Sequence, residues 1–224
     1  MSASANRVEV ERAFVAQLEI DCKNFFRTRG RAAALVIFAS QPELDWSALF
    51  GNERAVEIEI GCGKGAFLVE YARQHPQLNL FGIENQPRWV RWIEARLARA
   101  PQRNVRVLCA DAALVTSRFV PDSSVHAYHL YFPDPWWKRR HHKRRLVQSD
   151  LAAQLFRTLQ AGGVLHLATD VAERFEEMRH DLSAAPFVVC AADAPTPPDR
   201  PLTNFERKYR AQGRALYYAT FTKP

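Results

Sequence analysis

The 224-residue sequence lacks the features that would place it in or across a membrane. Its longest uninterrupted apolar run, Ala32 to Ala39, has eight residues, whereas a membrane-spanning helix needs about twenty. The first thirty residues mix acids such as Glu9 and Glu11 with arginines, which is not the pattern of a signal or transit peptide. The sequence therefore predicts a cytoplasmic protein with no membrane partner.

The sequence is also poor in metal-binding and nucleophile motifs. Its four cysteines form no CxxC pair, and no histidines stand near them at the spacing of zinc ligands. We therefore expect small, buried, reduced thiols and no structural metal. No serine or cysteine nucleophile motif is present either, which disfavours covalent catalysis through those side chains. The cysteines are Cys22, Cys62, Cys109 and Cys190.

What the sequence does contain is a regular alternation of short apolar runs and helix-length amphipathic stretches from Asn52 onward. Such an alternation predicts an α/β fold with a mainly parallel sheet and helices on both faces. We predict a single domain over residues 46–224, preceded by an N-terminal helical extension over residues 1–45. Gly162 and Gly163 are predicted to end a helix over Leu146–Leu159. The predicted strands are Ala55–Ile60, Leu78–Ile83, Val105–Cys109, Val125–Phe132, Val164–Ala168, Phe187–Ala191 and Ala215–Phe221.

A glycine loop follows the first predicted strand and indicates a nucleotide-like ligand. Gly61, Gly63 and Gly65 stand within five residues, and glycine permits a tight turn that a ligand can approach closely. With Ala66 the loop also satisfies a loose dinucleotide pattern, so the glycines alone do not separate NAD from S-adenosylmethionine.

Three acids at the ends of successive predicted strands favour the second cofactor. An acid just before the loop suits the ammonium group of S-adenosylmethionine, which NAD lacks, and an acid after the third strand suits an adenine amino group. These acids are Glu59, Glu84 and Asp111.

A second motif follows the fourth predicted strand, where Asp134 stands between Pro133 and Pro135. The prolines restrict the backbone and so help to position the carboxylate. Trp136 and Trp137 come next and offer either base-stacking faces or core packing. The following eight residues, 138–145, include six Lys or Arg and two His. With a net charge of +7, this basic run indicates a nucleic acid as partner.

The segment Phe132–Lys138, with the basic run after it, resembles the signature of the bacterial tRNA (guanine-N7)-methyltransferases. The resemblance extends roughly over residues 46 to 222 and includes Thr203–Glu206. It implies a Rossmann-like class I methyltransferase fold with an antiparallel C-terminal strand. It further implies methyl transfer from S-adenosylmethionine to N7 of a guanosine in tRNA.

The resemblance also implies roles for individual residues. Asp134 is the expected catalytic residue. The expected cofactor contacts are Glu59, Gly61, Gly63, Glu84, Asp111 and Asp134. The expected substrate contacts are Lys138, Asp170, Thr203, Asn204, Phe205 and Glu206. Further RNA contacts are expected from Arg140, Lys143, Arg144 and Arg145.

The chemistry of the reaction agrees with this residue set. Guanine N7 carries an available lone pair, so no strong general base is required, and alignment and charge stabilisation remain the enzyme's tasks. Three alternatives stay open at this point: a class I methyltransferase for another RNA or a small molecule, an NAD-dependent oxidoreductase, and a non-catalytic RNA-binding module. The sequence leaves open whether the protein is a monomer or a homodimer.

Overall fold

A computed structural model describes residues 43–135, 146–147, 149–192 and 199–224. The predicted helical extension therefore lies outside the described residues up to position 42, and the basic run lies outside them as well. Within the described part, seven strands form one sheet in the order β3-β2-β1-β4-β5-β7-β6. The strands are β1 (Val56–Ile60), β2 (Asn79–Glu84), β3 (Val105–Cys109), β4 (Val125–Tyr131), β5 (Leu159–Thr169), β6 (Val188–Ala192) and β7 (Tyr217–Thr222).

Of the helices in the described part, the first precedes β1 and the others lie between strands. The helices are α1 (Trp46–Phe50), α2 (Ala66–Gln74), α3 (Pro87–Arg99), α4 (Ala112–Arg118), α5 (Ser149–Thr158), α6 (Ala172–Leu182) and α7 (Asn204–Ala211). None of the helices in the described ranges is long and apolar enough to cross a membrane.

The sheet is parallel from β3 to β5 and becomes antiparallel where β7 pairs with β5 and β6. This confirms the predicted mainly parallel sheet with an antiparallel C-terminal strand. The strand order reverses between β1 and β4. In open parallel sheets, the carboxyl ends of the strands at such a reversal form the crevice in which ligands bind.

The two faces of the sheet have different chemistry, because successive side chains of a strand point to opposite faces. Ile58 and Ile60 of β1 belong to a large apolar cluster. Glu57 and Glu59 point to the other face, where α2 packs and where His129 of β4 lies at the register position of Glu59. The second face therefore carries buried polar groups directly beneath the helix that follows the glycine loop.

A series of buried polar side chains, joined by hydrogen bonds, lies on this second face. The Nε2 atom of His129 is 2.7 Å from the Glu57 carboxylate, and its Nδ1 atom is 2.9 Å from the Tyr131 hydroxyl. Burial alone would raise the pKa of Glu57, but the hydrogen bond and charge of His129 outweigh burial and hold that pKa below its usual value. Burial also lowers the pKa of His166, stacked beside His129, to about 2. These hydrogen-bonded side chains hold the hydroxyl group of Tyr131, the last residue of β4, in place.

Two sequence predictions about the fold are wrong in detail. Helix α5 begins at Ser149 rather than Leu146, and strand β5 follows it directly at Leu159. Gly162 and Gly163 lie inside β5 instead of ending the helix, because the Gly162 N–H donates to the carbonyl of Lys223, just beyond β7, and the Gly163 carbonyl accepts from the Lys223 N–H. Gly162 has a φ of +74°, so glycine allows the strand to bend at this point.

Candidate active site

The glycine loop lies at the carboxyl end of β1, and its three glycines all have positive φ. Gly61 and Gly63 have φ values of +77° and +52°, and a Cβ atom at either would meet nothing within 4 Å. Gly65 differs, since a Cβ there would lie 2.7 Å from a side-chain carbon of Ile93. The loop is thus packed against α3 at Gly65 and open at the two preceding glycines, as expected of a ligand cradle.

Glu84 fixes this loop from the end of β2. One of its carboxylate oxygens accepts a hydrogen bond from the Gly63 N–H and the other accepts one from the Gln86 N–H, both at 2.8 Å. Burial raises the pKa of Glu84, although these backbone donors partly oppose that effect. A carboxylate can accept about four hydrogen bonds, so Glu84 can hold the loop and still accept a ligand hydroxyl.

Glu59 is satisfied less completely. Its side chain is buried at the end of β1, and its Oε2 atom has no hydrogen-bond partner. Burial, followed by the charge of Glu84, raises the pKa of Glu59 to about 8, and a hydrogen bond from the Leu68 backbone and then the guanidinium of Arg200 act in the opposite direction. A buried carboxyl group with a free oxygen is costly, and a positively charged ligand group is the partner that would relieve it.

Asp111 follows β3 and caps helix α4. Its side chain accepts a hydrogen bond from the Leu114 N–H at 3.0 Å, which satisfies one of the free donors at the helix start. The residue is half-buried. Together with Glu59 and Glu84 it forms a row of acids at the ends of β1, β2 and β3, as predicted from the sequence.

Asp134 lies three residues beyond β4 and is exposed. The chain reaches it through Phe132, a non-glycine residue with a φ of +53°. The Phe132 N–H donates to the Ala168 carbonyl of neighbouring β5 at 2.7 Å, and the ring packs against Tyr209 at 5.7 Å. Strained backbone of this kind persists where packing enforces it, and it is concentrated at functional sites. Here it turns the Pro133–Pro135 segment away from the sheet.

Asp170 lies just after β5, the strand next to β4 in the sheet. Its Oδ2 atom accepts a hydrogen bond from Arg214 at 2.7 Å. Arg214 in turn lies over the Tyr209 ring at 4.5 Å. Burial, then the charge of Asp170, raises the pKa of Tyr209, with Asp134 contributing in the same direction. Tyr209 therefore lies within electrostatic reach of both carboxylates.

The predicted substrate segment Thr203–Glu206 forms the start of α7. Thr203 caps the helix by accepting the Glu206 N–H at 3.0 Å, and the exposed Asn204 bonds to Arg207. Phe205 is 48% exposed and its ring lies 5.9 Å from that of Tyr209. Phe205, Tyr209 and Phe132 together form an aromatic shelf beside the carboxyl ends of β4 and β5.

Glu206, in contrast, is completely buried in an ion network. Its carboxylate accepts hydrogen bonds from Arg200 at 2.7 Å, Arg210 at 3.0 Å and the Tyr218 hydroxyl at 2.8 Å. A direct contact of Glu206 with substrate stays a prediction. In the structure, the Glu206 carboxylate holds Arg200 in place and links α7 to β7.

Sequence reasoning assigned no role to four side chains of this site: Arg200, Tyr209, Arg214 and Tyr218. A local signal did exist for α7, since Thr203 and Glu206 match the helix-capping pattern. The placement of Arg200 has no such signal, because it lies over Tyr131, which is distant in the sequence. Several predicted residues lie outside the described part of the chain: Trp136, Trp137, Lys138, Arg140, Lys143, Arg144 and Arg145.

Comparison with known proteins identifies the family. A family model described as putative methyltransferase matches residues 53–219. A tRNA (guanine-N(7)-)-methyltransferase of Vibrio cholerae serotype O1 (strain M66-2) is 43% identical over 183 residues, covering 79% of this chain and 77% of that protein. A protein of the same name from Shewanella amazonensis (strain ATCC BAA-1098 / SB2B) is 39% identical over 207 residues, covering 88% and 87%.

The chain belongs to the tRNA (guanine-N7)-methyltransferase family. This membership confirms the resemblance based on the segment Phe132–Lys138 and disfavours the NAD-dependent oxidoreductase. Among solved structures, the 16S rRNA methyltransferase KamB matches with a TM-score of 0.60 at 17% identity, covering 82% of this chain and 96% of that one. A precorrin-6y C5,15-methyltransferase from Geobacter metallireducens GS-15 matches with a TM-score of 0.53 at 15% identity, covering 85% and 86%. These likenesses confirm the class I methyltransferase fold.

Proposed function

We propose that this protein transfers a methyl group from S-adenosylmethionine to N7 of a guanosine in tRNA, and that it acts in the cytoplasm, where tRNA is found. The observation that carries the proposal is that two carboxyl groups lie near the ends of the neighbouring strands β1 and β4, where the strand order reverses. Glu59 is buried with a free oxygen beside the glycine loop, and Asp134 is exposed at the end of neighbouring β4.

The residues around the loop fit S-adenosylmethionine. The free Oε2 atom of Glu59 suits the ammonium group of the cofactor, and Glu84 has lone pairs left for ribose hydroxyls. Asp111, one strand further along, suits the adenine amino group. A dinucleotide would instead bring a pyrophosphate to this loop, next to a buried acid, which is unfavourable. When bound, S-adenosylmethionine supplies a methyl group on a positively charged sulfur.

The other side of the crevice fits a guanine base. The aromatic shelf offers the partly exposed ring of Phe205 for stacking, worth about 1–3 kcal/mol per base. Asp134 and Asp170 flank this shelf and can accept hydrogen bonds from the amino and imino hydrogens of guanine. Methylation at N7 leaves the purine positively charged, and nearby carboxylates stabilise that charge as it develops. No described residue is required to remove a proton.

A basic groove next to the glycine loop supports a polynucleotide substrate. It has a volume of about 580 Å³ and lies between α2, α3 and the start of α7. Three cations, Lys64, Arg96 and Arg207, and one acid, Glu70, line it together with Trp92, which is 57% exposed. Cations beside an exposed indole suit a phosphate backbone and a stacked base. Lys138, Arg140, Lys143, Arg144 and Arg145 stay proposed RNA contacts.

The proposal is tested by methyl incorporation from labelled S-adenosylmethionine into tRNA transcripts, followed by nucleoside analysis. We expect 7-methylguanosine as the product and no incorporation when guanosine is replaced by 7-deazaguanosine, which has no N7 atom. Asp134→Asn is expected to lower kcat by a factor of about 100 or more with the fold intact, since it removes one charge at the reacting centre. A different methylated nucleoside, or full activity on the 7-deaza transcript, would refute the proposal.

A further inference from the structure

Partnerless buried atoms are concentrated at the proposed cofactor site. Among the described residues, five buried side-chain nitrogen or oxygen atoms have no hydrogen-bond partner. Three of the five belong to two side chains, namely Oε2 of Glu59 and both Nε and Nη2 of Arg200. Buried polar groups are nearly always paired. A cluster of partnerless donors and acceptors therefore indicates a position where a polar ligand binds.

The Arg200 guanidinium is held rigidly in one orientation. Its Nη1 atom donates to the Glu206 carboxylate at 2.7 Å and to the Pro201 carbonyl at 3.2 Å. Its Cζ atom lies 4.3 Å from the centre of the Tyr131 ring, and its side chain is fully buried. The remaining donors, Nε and Nη2, form one edge of the planar group. Two parallel donors on one edge match the two oxygens of a carboxylate.

This edge lies close to the acid that is proposed to bind the cofactor ammonium. Tyr131, over which Arg200 lies, ends β4, and β4 pairs directly with β1. Glu59 and Tyr131 belong to the same face of the sheet, because Glu59 is opposite His129, two residues before Tyr131. The site thus presents a free carboxylate oxygen and a free pair of cationic donors. A group with both an ammonium and a carboxylate satisfies the two together.

We propose that Arg200 binds the α-carboxylate of the methionine portion of S-adenosylmethionine through Nε and Nη2. This inference rests on the proposed function, in which Glu59 binds the ammonium of the same amino-acid group. A phosphate of tRNA has related chemistry, but full burial of Arg200 favours the small ligand over a polymer backbone. Glu206 is then a positioning residue, since it orients Arg200 without touching the cofactor.

The test measures binding by calorimetry in the absence of tRNA, with three ligands. S-adenosylmethionine carries both charged groups, decarboxylated S-adenosylmethionine lacks only the carboxylate, and 5′-methylthioadenosine lacks both. For the wild-type protein we expect the carboxylate to strengthen binding by roughly 10- to 100-fold, the range of hydrogen bonds to charged groups. If the wild-type protein binds S-adenosylmethionine and its decarboxylated form with equal affinity, the inference is overturned before any variant is measured.

Two variants then assign the effect to Arg200. Arg200→Met and Arg200→Lys are expected to lose most of the affinity for S-adenosylmethionine and to bind decarboxylated S-adenosylmethionine as the wild type does. The lysine variant keeps a charge for Glu206 but has no two-donor edge. Arg210→Lys is the matched control, because Arg210 also bonds to Glu206 but is partly exposed; its affinities should not change.

The remaining outcomes separate this inference from the proposed function. Equal weakening of all three ligands in the Arg200 variants would indicate a structural role and overturn the carboxylate assignment. In a separate filter assay, lower tRNA affinity of the Arg200 variants, with unchanged S-adenosylmethionine affinity by calorimetry, would assign the edge to a phosphate instead. Failure of the wild-type protein to bind S-adenosylmethionine would refute the proposed function and this inference together. If the wild-type protein binds S-adenosylmethionine and the Arg200 variants bind it equally well, the inference is overturned and the proposed function is not affected.

Discussion

Replacing Glu59 by glutamine is expected to stabilise the ligand-free protein at high pH while weakening its binding of S-adenosylmethionine. Burial raises the pKa of Glu59 from 4.5 to about 8. The folded state therefore holds a proton on Glu59 that the unfolded state has already lost at neutral pH. The stability that this group contributes is fully present below pH 4.5 and is lost as the pH rises through about 8.

The size of the effect follows from the shift in pKa. A shift of one unit corresponds to about 1.4 kcal/mol. For a carboxyl group moved from 4.5 to about 8, the free energy of unfolding falls by about 4 kcal/mol between pH 5 and pH 9. Glutamine has the shape of the protonated acid and does not titrate. The variant and the wild type should thus differ little at pH 5, and the variant should become progressively more stable toward pH 9.

Urea denaturation at pH 5, 7 and 9, followed by tryptophan fluorescence, measures this difference. Glu57→Gln is the matched control, since Glu57 lies two residues earlier on the same face of β1. Its pKa is lowered because the hydrogen bond and charge of His129 outweigh burial. Its carboxylate therefore contributes stability above pH 4.5 that is lost as the pH falls, and its removal should destabilise the protein at pH 7 and 9. Stability curves of the wild type and Glu59→Gln that stay parallel from pH 5 to 9 would refute the reasoning.

Three further changes test other parts of the site. In β2, Gly82→Ala places a Cβ atom 2.6 Å from a Leu68 methyl carbon. We therefore expect a loss of about 1–3 kcal/mol in unfolding free energy and weaker S-adenosylmethionine binding. An unchanged melting temperature would contradict this. Glu206→Gln removes the buried charge that pairs with Arg200, and urea denaturation should show a loss of about 3–5 kcal/mol; a loss below about 1 kcal/mol would mean that Arg200 is not held by this pair. Trp92→Ala should weaken tRNA binding by about 1–3 kcal/mol in a filter assay without affecting S-adenosylmethionine binding. Unchanged tRNA affinity would exclude the groove as an RNA surface.

The architecture was predictable because it rests on a local pattern. Apolar runs of strand length separated by helix-length segments predict a parallel sheet, and six of the seven observed strands begin within two residues of their predicted starts. The exception is β5, where the glycine pair suggested a break. Helices α4 and α7 were missed because they are short, with seven and eight residues. Glu206 is the only buried residue of α7, so this helix has no apolar stripe to recognise.

The site was predictable in part, and the reason lies in the sheet. Acids that follow strands of a parallel sheet meet at one edge, so Glu59, Glu84 and Asp111 were predicted as a group. Which of their carboxyl oxygens already accept hydrogen bonds within the protein was not predictable. In the structure Glu84 and Asp111 also accept hydrogen bonds from backbone N–H groups, and Glu59 keeps a buried oxygen without a partner. Whether a carboxylate is already occupied depends on loop geometry that residue spacing does not specify.

Arg200 shows why the remaining part required a structure. In the sequence Arg200 stands among the prolines of residues 194–201, and an arginine in such a stretch is ordinarily solvated. In the fold it is fully buried over Tyr131 and anchored by Glu206, and one edge of its guanidinium has no partner. Burying a charge with donors unpaired is destabilising. A ligand with charges of both signs best explains why Arg200 is buried near Glu59. Binding of such a ligand would pair both groups and so stabilise the protein.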